Sequence, residues 1–223
     1  EALDNVHSLY VDQWDWEKII TRESRNAEYL KLIVRAIVKS ICDTNDALRV
    51  RFPQLTVSLS PDVTFITSQE LEDMYPTLTP GQREDALLRE HRTAFIMQIG
   101  GRLRSGKPHD GRAPDYDDWQ LNGDLFFWDD VLGRALEISS MGIRVDAESL
   151  DRQLTLAGCD DRRALPFHQM LLRDELPLTI GGGIGQSRLC MLMMGCAHIG
   201  EVQSSLWDAE TVAVCEAAGV RLL

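Results

Sequence analysis

A run of glycines stands shortly before an arginine in the last quarter of the chain. Four of the five residues in Gly181–Gly185 are glycines, and Arg188 follows three positions later. Adjacent glycines let a backbone come close to a flat or charged ligand, because no Cβ atom intervenes. A tight turn between a strand and a helix would use the same residues. The glycines alone therefore leave a ligand site and a plain turn both open.

Two common nucleotide-binding signatures do not fit this run. A Walker A loop requires a lysine where the chain has Gln186, and the dinucleotide fingerprint requires a glycine at that same position. What remains is a Gly-Gly-Gly-x-Gly-x-x-Arg pattern that opens an apolar segment with helical character. In the first turn of such a helix, the Arg188 guanidinium can stack on a purine or pair with a phosphate.

Gln13 and Asp15 form a second chemical feature, near the start of the chain. They are two residues apart in a segment predicted to be a strand, so their side chains point to the same side. An amide and a carboxylate together suit a ligand that carries an ammonium group. A hydrated, exposed strand face is the alternative interpretation.

Carboxylates and an arginine in the middle of the chain could hold a nucleotide and a metal ion. Glu137 lies in an apolar stretch, where an unpaired charge would be costly. Mg²⁺ takes one or two carboxylates together with phosphate oxygens and water, so Glu137 and Asp124 are candidates for metal or ribose contacts. A buried structural ion pair is the alternative for Glu137. Arg112 could grip a carboxylate or phosphate and Asp117 an ammonium group, unless both are merely solvated.

The hydrophobic pattern predicts the elements that position these residues. Ser68 and Thr79 are predicted helix N-caps, and residues 102–123 are predicted to form a polar surface loop over the site. The mixed order of elements favours an α+β fold with a mostly antiparallel sheet flanked by helices over a doubly wound fold. The predicted strands cover residues 6–16, 63–67, 93–99, 125–128 and 136–145, and the predicted helices cover residues 24–49, 68–75, 79–91, 147–156, 165–173 and 186–194.

Composition bounds the class of protein. The chain has 223 residues with a formal net charge of −12, and 44% of them are hydrophobic, so we expect a folded domain rather than a disordered chain. The negative charge argues against non-specific binding to nucleic acid or to an anionic membrane. Five cysteines without zinc-binding spacing predict reduced thiols in a cytoplasmic compartment. The chain starts without methionine, in sequence that already looks structured, which suggests a fragment.

Longer motifs resemble a known superfamily. The segment from Gly181 to Arg188 resembles motif 3 of the class II aminoacyl-tRNA synthetases, especially the aspartyl and asparaginyl branch. Gln-Trp-Asp-Trp-Glu at residues 13–17 is similar to the second strand of motif 2, and residues 137–144 are similar to the Glu-Ile-x-Ser-Gly segment of that branch. Four segments are more similar still to the ammonia-dependent asparagine synthetases (aspartate–ammonia ligases): residues 7–17, 112–119, 121–124 and 139–146.

This resemblance covers essentially the whole chain and implies a class II synthetase-like catalytic core over residues 1–223. In the family reaction, ATP activates the β-carboxylate of aspartate as β-aspartyl-AMP, and ammonia then converts it to asparagine. The resemblance also implies Mg²⁺ as cofactor, a homodimer, and small molecules rather than nucleic acid or membrane as partners. The residues that it implies are Gln13, Asp15, Arg112, Asp117 and Arg188 for catalysis; Ser8, Val11, Asp124, Glu137, Gly183, Gly185 and Arg188 for the nucleotide; Gln13, Asp15, Asp117 and Ser140 for aspartate; and Glu137 and Asp124 for the metal ion.

The resemblance also sets expectations about missing parts. The family has an upstream portion with a motif 2 arginine that meets the α-phosphate, and we expect the chain to lack it. The stretch between Trp119 and Leu121 looks shorter than in the family. An aminoacyl-tRNA synthetase and a non-catalytic paralogue that binds asparagine or AMP are the alternative functions. Glutamine stays open as an alternative nitrogen donor.

Overall fold

The computed structural model describes residues 3–223, so the first two residues of the predicted 1–223 domain lie outside it. Six strands and seven α-helices follow one another with two short 3₁₀ segments, Asp160–Ala164 and Ile199–Glu201. The strands are β1 Gln13–Ile19, β2 Thr64–Thr67, β3 Thr93–Met97, β4 Asp117–Asp129, β5 Arg134–Arg144 and β6 Thr179–Gly185. The helices are α1 Ala27–Arg51, α2 Ser68–Met74, α3 Pro80–His91, α4 Ala147–Ala157, α5 Pro166–Leu172, α6 Gln186–Met194 and α7 Ala209–Ala217.

The strands form one sheet in the order β1-β6-β5-β4-β3-β2. Every neighbouring pair is antiparallel except β2 and β3, which run parallel. This arrangement confirms the predicted α+β class with a mostly antiparallel sheet. It also brings β1, from the start of the chain, beside β6, which contains the glycine run.

One face of the sheet is covered by α1 and α6. Asn26 caps α1, because its side chain accepts a hydrogen bond from the Tyr29 backbone N–H. The buried positions Leu30, Val34 and Val38 then recur at helical spacing and join a core with side chains from the sheet. The predicted α1 and α6 helices are confirmed, with α1 shifted by two or three residues.

The opposite face is covered over β2 and β3 and over the hairpin end of β4 and β5. There α2 and α3 bury Leu71, Leu87 and Leu88 against Ile96 and Phe126. The part of this face formed by β1, β6, β5 and the first half of β4 carries polar side chains instead. We call this part of the sheet the polar face.

Helices α4 and α5 have a small core of their own beside the start of β4. Val145, Leu150, Leu154 and Leu171 form it. Asp146 begins α4 with a capping box, in which the Asp146 and Ser149 side chains accept from each other's backbone N–H. This helical pair therefore stands as a support next to the polar stretch that precedes β4.

Two predicted boundaries near the site are wrong. The first strand begins at Gln13 rather than at residue 6, because Asp4 Oδ1 accepts from the Val6 and His7 N–H groups at 2.8 and 2.9 Å and holds a turn. The polar loop ends before Asp117, because residues 117–123 already belong to β4. The plain turn that the glycines alone left open is not formed, since the run lies inside β6 and pairs on both sides.

The helix caps illustrate how local the successful predictions are. Thr79 caps α3 as predicted, with Pro80 next and a capping box to Gln82. The prediction of Ser68 as a cap is wrong by one residue, because Thr67 makes the capping box with Glu70 and Ser68 bonds to the Gln98 carbonyl instead. Within residues 3–223, no helix combines the length and the apolar character needed to cross a membrane.

Candidate active site

The glycines of β6 make room for acidic and amide side chains from β1. Gln13 pairs with Gly185 and Asp15 pairs with Gly183, so the side chains of β1 lean over the glycine strand. A Cβ atom on Gly183 would lie 2.7 Å from Asp15 Oδ1 and 2.9 Å from Gln13 Oε1. Only glycine fits there while both side chains stay in place. The glycine run is thus the floor of a site rather than a phosphate-wrapping loop.

A cavity of about 320 Å³ opens at the end of this floor. It lies between the segment from Leu3 to Gln13, the middle of β5, the last glycines of β6 and the first turn of α6. Its size is at the lower end of the range for small-molecule sites. Eight of the predicted site residues line it: Ser8, Val11, Gln13, Glu137, Ser140, Gly183, Gly185 and Arg188.

Arg188 is the cationic group of this cavity. It lies in the first turn of α6, and its Nε donates to the Val6 carbonyl at 3.3 Å while its Nη1 donates to the Glu137 carbonyl at 3.2 Å. The carboxylate of Glu137 is 3.7 Å from the same Nη1. The guanidinium is therefore held in place by backbone groups, and its position at a helix N-terminus adds to the attraction for an anion.

A β-bulge brings Glu137 and Ser140 to the same side of β5. Residues three apart on a regular strand point to opposite faces. Here Leu125 pairs with Ser139 but Phe126 pairs with Glu137, so Ile138 is the extra residue of the bulge. As a result Ser140 Oγ lies 3.1 Å from Glu137 Oε1.

Arg112, Asp124 and Ser140 form a second cluster below Glu137. Ser140 Oγ is 2.6 Å from Asp124 Oδ1, Arg112 Nη1 is 3.2 Å from Ser140 Oγ, and Arg112 Nη2 forms an ion pair with Asp124. Burial, reinforced by the charge of Glu137, raises the pKa of the Asp124 carboxyl to about 7. Asp124 is buried and does not line the cavity, so its contacts are with protein groups rather than with the open space.

Asp117 belongs to a third cluster, at the far side of the polar face. Arg144 Nη1 donates to Asp117 Oδ1 at 2.5 Å, and Arg144 Nη2 donates to Glu17 Oε2 at 2.9 Å. The ring of Tyr116 lies 4.0 Å from Arg144 Cζ. Burial raises the pKa of the Asp117 carboxyl although Arg144 lies against it.

The structure brings the predicted residues together in three neighbouring clusters. The first lines the cavity around Arg188 and includes Gln13. The second joins Arg112 and Asp124 to Ser140, and the third contains Asp117, while Asp15 lies beside Gln13 on β1. Asp117 is paired with Arg144, a residue that sequence reasoning did not select. Both Glu17 and Arg144 stand in the motifs, but they are 127 residues apart, and only the pairing of β1 with β6 and of β6 with β5 shows that they meet.

The family model for aspartate–ammonia ligase, AsnA, matches residues 1–219 of the chain. The chain belongs to the aspartate–ammonia ligase family. It is 60% identical over 224 aligned residues to the aspartate–ammonia ligase of Lactobacillus johnsonii and 58% identical over 223 residues to that of Clostridium tetani. All of this chain is covered in both alignments, together with 67% and 65% of the two relatives. The chain thus spans about two thirds of the length of the curated relatives that it matches.

The same comparisons test two earlier expectations. The aspartate–ammonia ligase of Levilactobacillus brevis aligns over 223 residues at 59% identity and covers 100% of the chain. Such an alignment leaves no room for a missing stretch near Gln120, so the expected shortening between Trp119 and Leu121 is wrong for these relatives. Membership of this family supports a ligase of asparagine synthesis rather than the non-catalytic alternative.

Solved structures confirm the class II fold. The aspartyl-tRNA synthetase of Entamoeba histolytica superimposes with a TM-score of 0.62 at 18% identity, covering 91% of this chain and 44% of that protein. The asparaginyl-tRNA synthetase of Pyrococcus horikoshii, complexed with asparaginyl-adenylate, gives 0.62 at 16% identity over 89% of this chain and 48% of that one. Identities this low establish the shared fold and carry no conclusion about tRNA.

Proposed function

We propose that this ligase makes asparagine through a β-aspartyl-AMP intermediate, with ATP and aspartate bound side by side on the polar face. The observation that carries the proposal is the junction at Gly183. On one side of this glycine lies the cavity with Arg188, and on the other side lie Asp15 and, further along the sheet, Arg144 with Asp117. A cationic pocket for a nucleotide therefore adjoins a zwitterionic patch for an amino acid.

The nucleotide half is assigned to the cavity. Arg188 is fixed by two backbone carbonyls and faces the open space, so it can stack on adenine or neutralise a phosphate at little cost in side-chain order. Ser8 and Val11 line the same cavity opposite Gly185. The Ser8 hydroxyl is within 2.7 Å of Gln203 Oε1, which keeps the segment before β1 against the cavity.

The amino-acid half is assigned to the charged groups of the polar face. Asp15 is exposed and has no cationic partner among residues 3–223, so it can receive the ammonium group of aspartate. Asp117 and Glu17 hold the Arg144 guanidinium beside β1, where its positive charge can attract the α-carboxylate. Gln13 and Ser140 both line the cavity at its boundary with the amino-acid half.

The proposed reaction needs no protein nucleophile. In the first step, a β-carboxylate oxygen of aspartate bonds to the α-phosphorus of ATP while the bond to the pyrophosphate oxygen breaks. In the second step, ammonia bonds to the activated carbonyl carbon, the bond to AMP breaks, and nitrogen gives up a proton. Catalysis then consists of alignment and of charge neutralisation by Arg188 and Arg112.

Mg²⁺ fits the chemistry of one carboxylate in the cavity. Glu137 is partly exposed there, and its oxygens have no short ion pair, whereas Asp124 Oδ1 is already engaged by Arg112 and Ser140. Among residues 3–223 no group of three potential ligand side chains stands ready for a metal. That matches an ion that takes one carboxylate and completes its shell with phosphate oxygens and water. When bound, the ion would neutralise part of the charge of the triphosphate.

An isotope experiment tests the intermediate directly. Aspartate labelled with ¹⁸O in its β-carboxylate is incubated with ATP, ammonium and the complete natural protein, because the chain spans only two thirds of its relatives. The expected product is AMP with one ¹⁸O atom in its phosphate, together with equal amounts of pyrophosphate and asparagine. Formation of ADP, or AMP without the label, would exclude the adenylate.

Two further features follow from the resemblance and the five free cysteines: a homodimer and a cytoplasmic location.

A further inference from the structure

One buried side chain on α4 binds three backbone groups of the segment that carries Asp117. Gln153 Nε2 donates to the carbonyl oxygens of Pro114 and Asp117 at 2.9 and 3.0 Å, and Gln153 Oε1 accepts from the Trp119 N–H at 2.8 Å. The side chain is fully buried. Both amide hydrogens and the amide oxygen are therefore used, and no water competes for them.

The bond to Trp119 falls where the sheet leaves the backbone without partners. Asp117 pairs with Arg144 of β5, but the next regular pair is Asn122 with Gly142. On its other side, β4 pairs with β3 only from Gly123 onward. The residues between have no regular ladder on either side, and buried backbone groups without partners are costly. Gln153 supplies a partner for the Trp119 N–H in this gap, and it also binds the carbonyls of Asp117, at the edge of the gap, and of Pro114, before the strand.

The helical pair fixes the same segment at a second point. Asp115 Oδ2 accepts from Arg162 Nη1 at 2.9 Å and lies 2.9 Å from His168 Nε2. His168 is on α5, which packs with α4 around Leu150, Leu154 and Leu171. The segment is thus attached to a supporting core that contains none of the proposed site residues.

We propose that Gln153 is a positioning residue for the amino-acid half of the site. It sets the path of the backbone at Asp117 and thereby the place of Arg144, which Asp117 and Glu17 hold between them. It touches neither substrate. This inference rests on the proposed function. It predicts an effect on aspartate and little effect on ATP, because Arg188 is held by Val6 and Glu137 and not by α4.

The test replaces Gln153 by methionine, which keeps the length of the side chain and removes all three hydrogen bonds. Gln169→Met on α5 is the matched control, since Gln169 is exposed. For Gln153→Met in the complete protein, we expect kcat/KM for aspartate to fall about tenfold or more, because a displacement of less than about 1 Å at a group that positions the substrate is enough for a loss of this size. The KM for ATP should stay within about twofold of the wild-type value, because the substitution disturbs the aspartate half of the site and not the nucleotide half.

Hydrogen exchange gives a readout that does not depend on activity. The Trp119 amide should exchange about tenfold faster or more in Gln153→Met, because its acceptor is removed, and should be unchanged in Gln169→Met. If wild type makes no asparagine but Trp119 exchange accelerates, the proposed function fails and the backbone contact stands. Unchanged aspartate kinetics or unchanged Trp119 exchange in a folded, active protein would overturn the inference. So would an equal loss for aspartate and ATP.

A second variant covers the case in which Gln153→Met does not fold. In Gln153→Glu, a buried carboxylate faces two carbonyl oxygens, and burial raises the pKa of such a group. Protonation at lower pH restores one donor, so the deficit in kcat/KM for aspartate relative to wild type should shrink as the pH is lowered. A deficit that does not change with pH would overturn the inference. Failure of both variants to fold would do so too, because Gln153 would then serve the whole fold rather than one segment.

Discussion

Replacing Gly183 by alanine tests the glycine floor of the site. The added Cβ would lie 2.7 Å from Asp15 Oδ1 and 2.9 Å from Gln13 Oε1, whereas ordinary contact begins at 3.4 Å. Both side chains must therefore withdraw by several tenths of an ångström. They are the exposed ends of flexible side chains, so they can move without disturbing the core. We expect the variant to fold with a stability close to that of wild type, since alanine also lowers the entropy of the unfolded chain.

The expected loss of activity is much larger than the loss of stability. A displacement approaching 1 Å at a positioning group can reduce a rate by about a hundredfold. We therefore expect aspartate-dependent release of pyrophosphate by Gly183→Ala to fall on the order of a hundredfold in kcat/KM, measured with the complete protein at saturating ATP. The thermal midpoint is measured in the same samples.

Two further alanine variants serve as controls for this argument. Gly182 faces the other side of the sheet, and a Cβ there would meet Met141 Cβ at 2.5 Å and the Ser140 carbonyl at 2.7 Å, so Gly182→Ala should lower the thermal midpoint first. Gly81, in α3, has open space around it, and Gly81→Ala should leave activity unchanged. Wild-type activity in Gly183→Ala, or equal loss of stability at 182 and 183, would refute the assignment of the two faces.

Three other predictions follow from the site. Arg188→Ala should reduce aspartate-dependent pyrophosphate release by about 10²–10³-fold with an unchanged thermal midpoint, and a fully active variant would exclude Arg188 from the nucleotide site. Asp124 has a raised pKa in the folded state, near 7, so the folded protein holds its proton over a range where the unfolded chain has lost it. The contribution of Asp124 to the stability of the folded protein therefore declines as the pH rises from about 4 to about 7. The thermal midpoint of Asp124→Asn, measured relative to wild type, should accordingly rise between about pH 5 and about pH 7.5. A difference in midpoint that stays constant over this range would contradict the raised pKa. Light scattering of the complete protein should give twice the mass of one chain, and a monomeric mass would refute the predicted homodimer.

Much of the fold could be predicted because its signals are local. The signal for the start of α3 lies in one short segment, Thr79 followed by Pro80, and the signal for α6 is the apolar run after Gln186. The start of β1 could not be placed, because the alternating pattern of residues 6–16 continues through a turn that Asp4 fixes by accepting two backbone hydrogen bonds. A side chain that accepts hydrogen bonds from neighbouring backbone N–H groups stabilises a turn in place of a strand. The alternation of apolar and polar residues carries no information about such hydrogen bonds.

In the candidate site too, features set by local sequence could be predicted, and features set by strand register or by a bulge could not. Gln13 and Asp15 could be assigned to one face, because they are two apart on one strand. The approach of Ser140 to Glu137 could not, since an odd separation predicts opposite faces and only the bulge at Ile138 reverses this. The partnership of Asp117 with Arg144 requires the register of β4 on β5, which no pattern within either segment encodes.

The consecutive glycines illustrate why a motif and its physical role are separate questions. Gly181 and Gly183 open toward the polar face, where Cβ atoms would collide with Glu17 and Asp15. Gly182 opens toward the core, where the obstacle is Met141 and the backbone of Ser140. The same residue type is thus required at adjacent positions for opposite reasons, close packing of the sheet in one case and space for charged side chains in the other. A substitution at Gly182 should therefore act through folding, and one at Gly183 through the alignment of aspartate, which is the distinction that the alanine series measures.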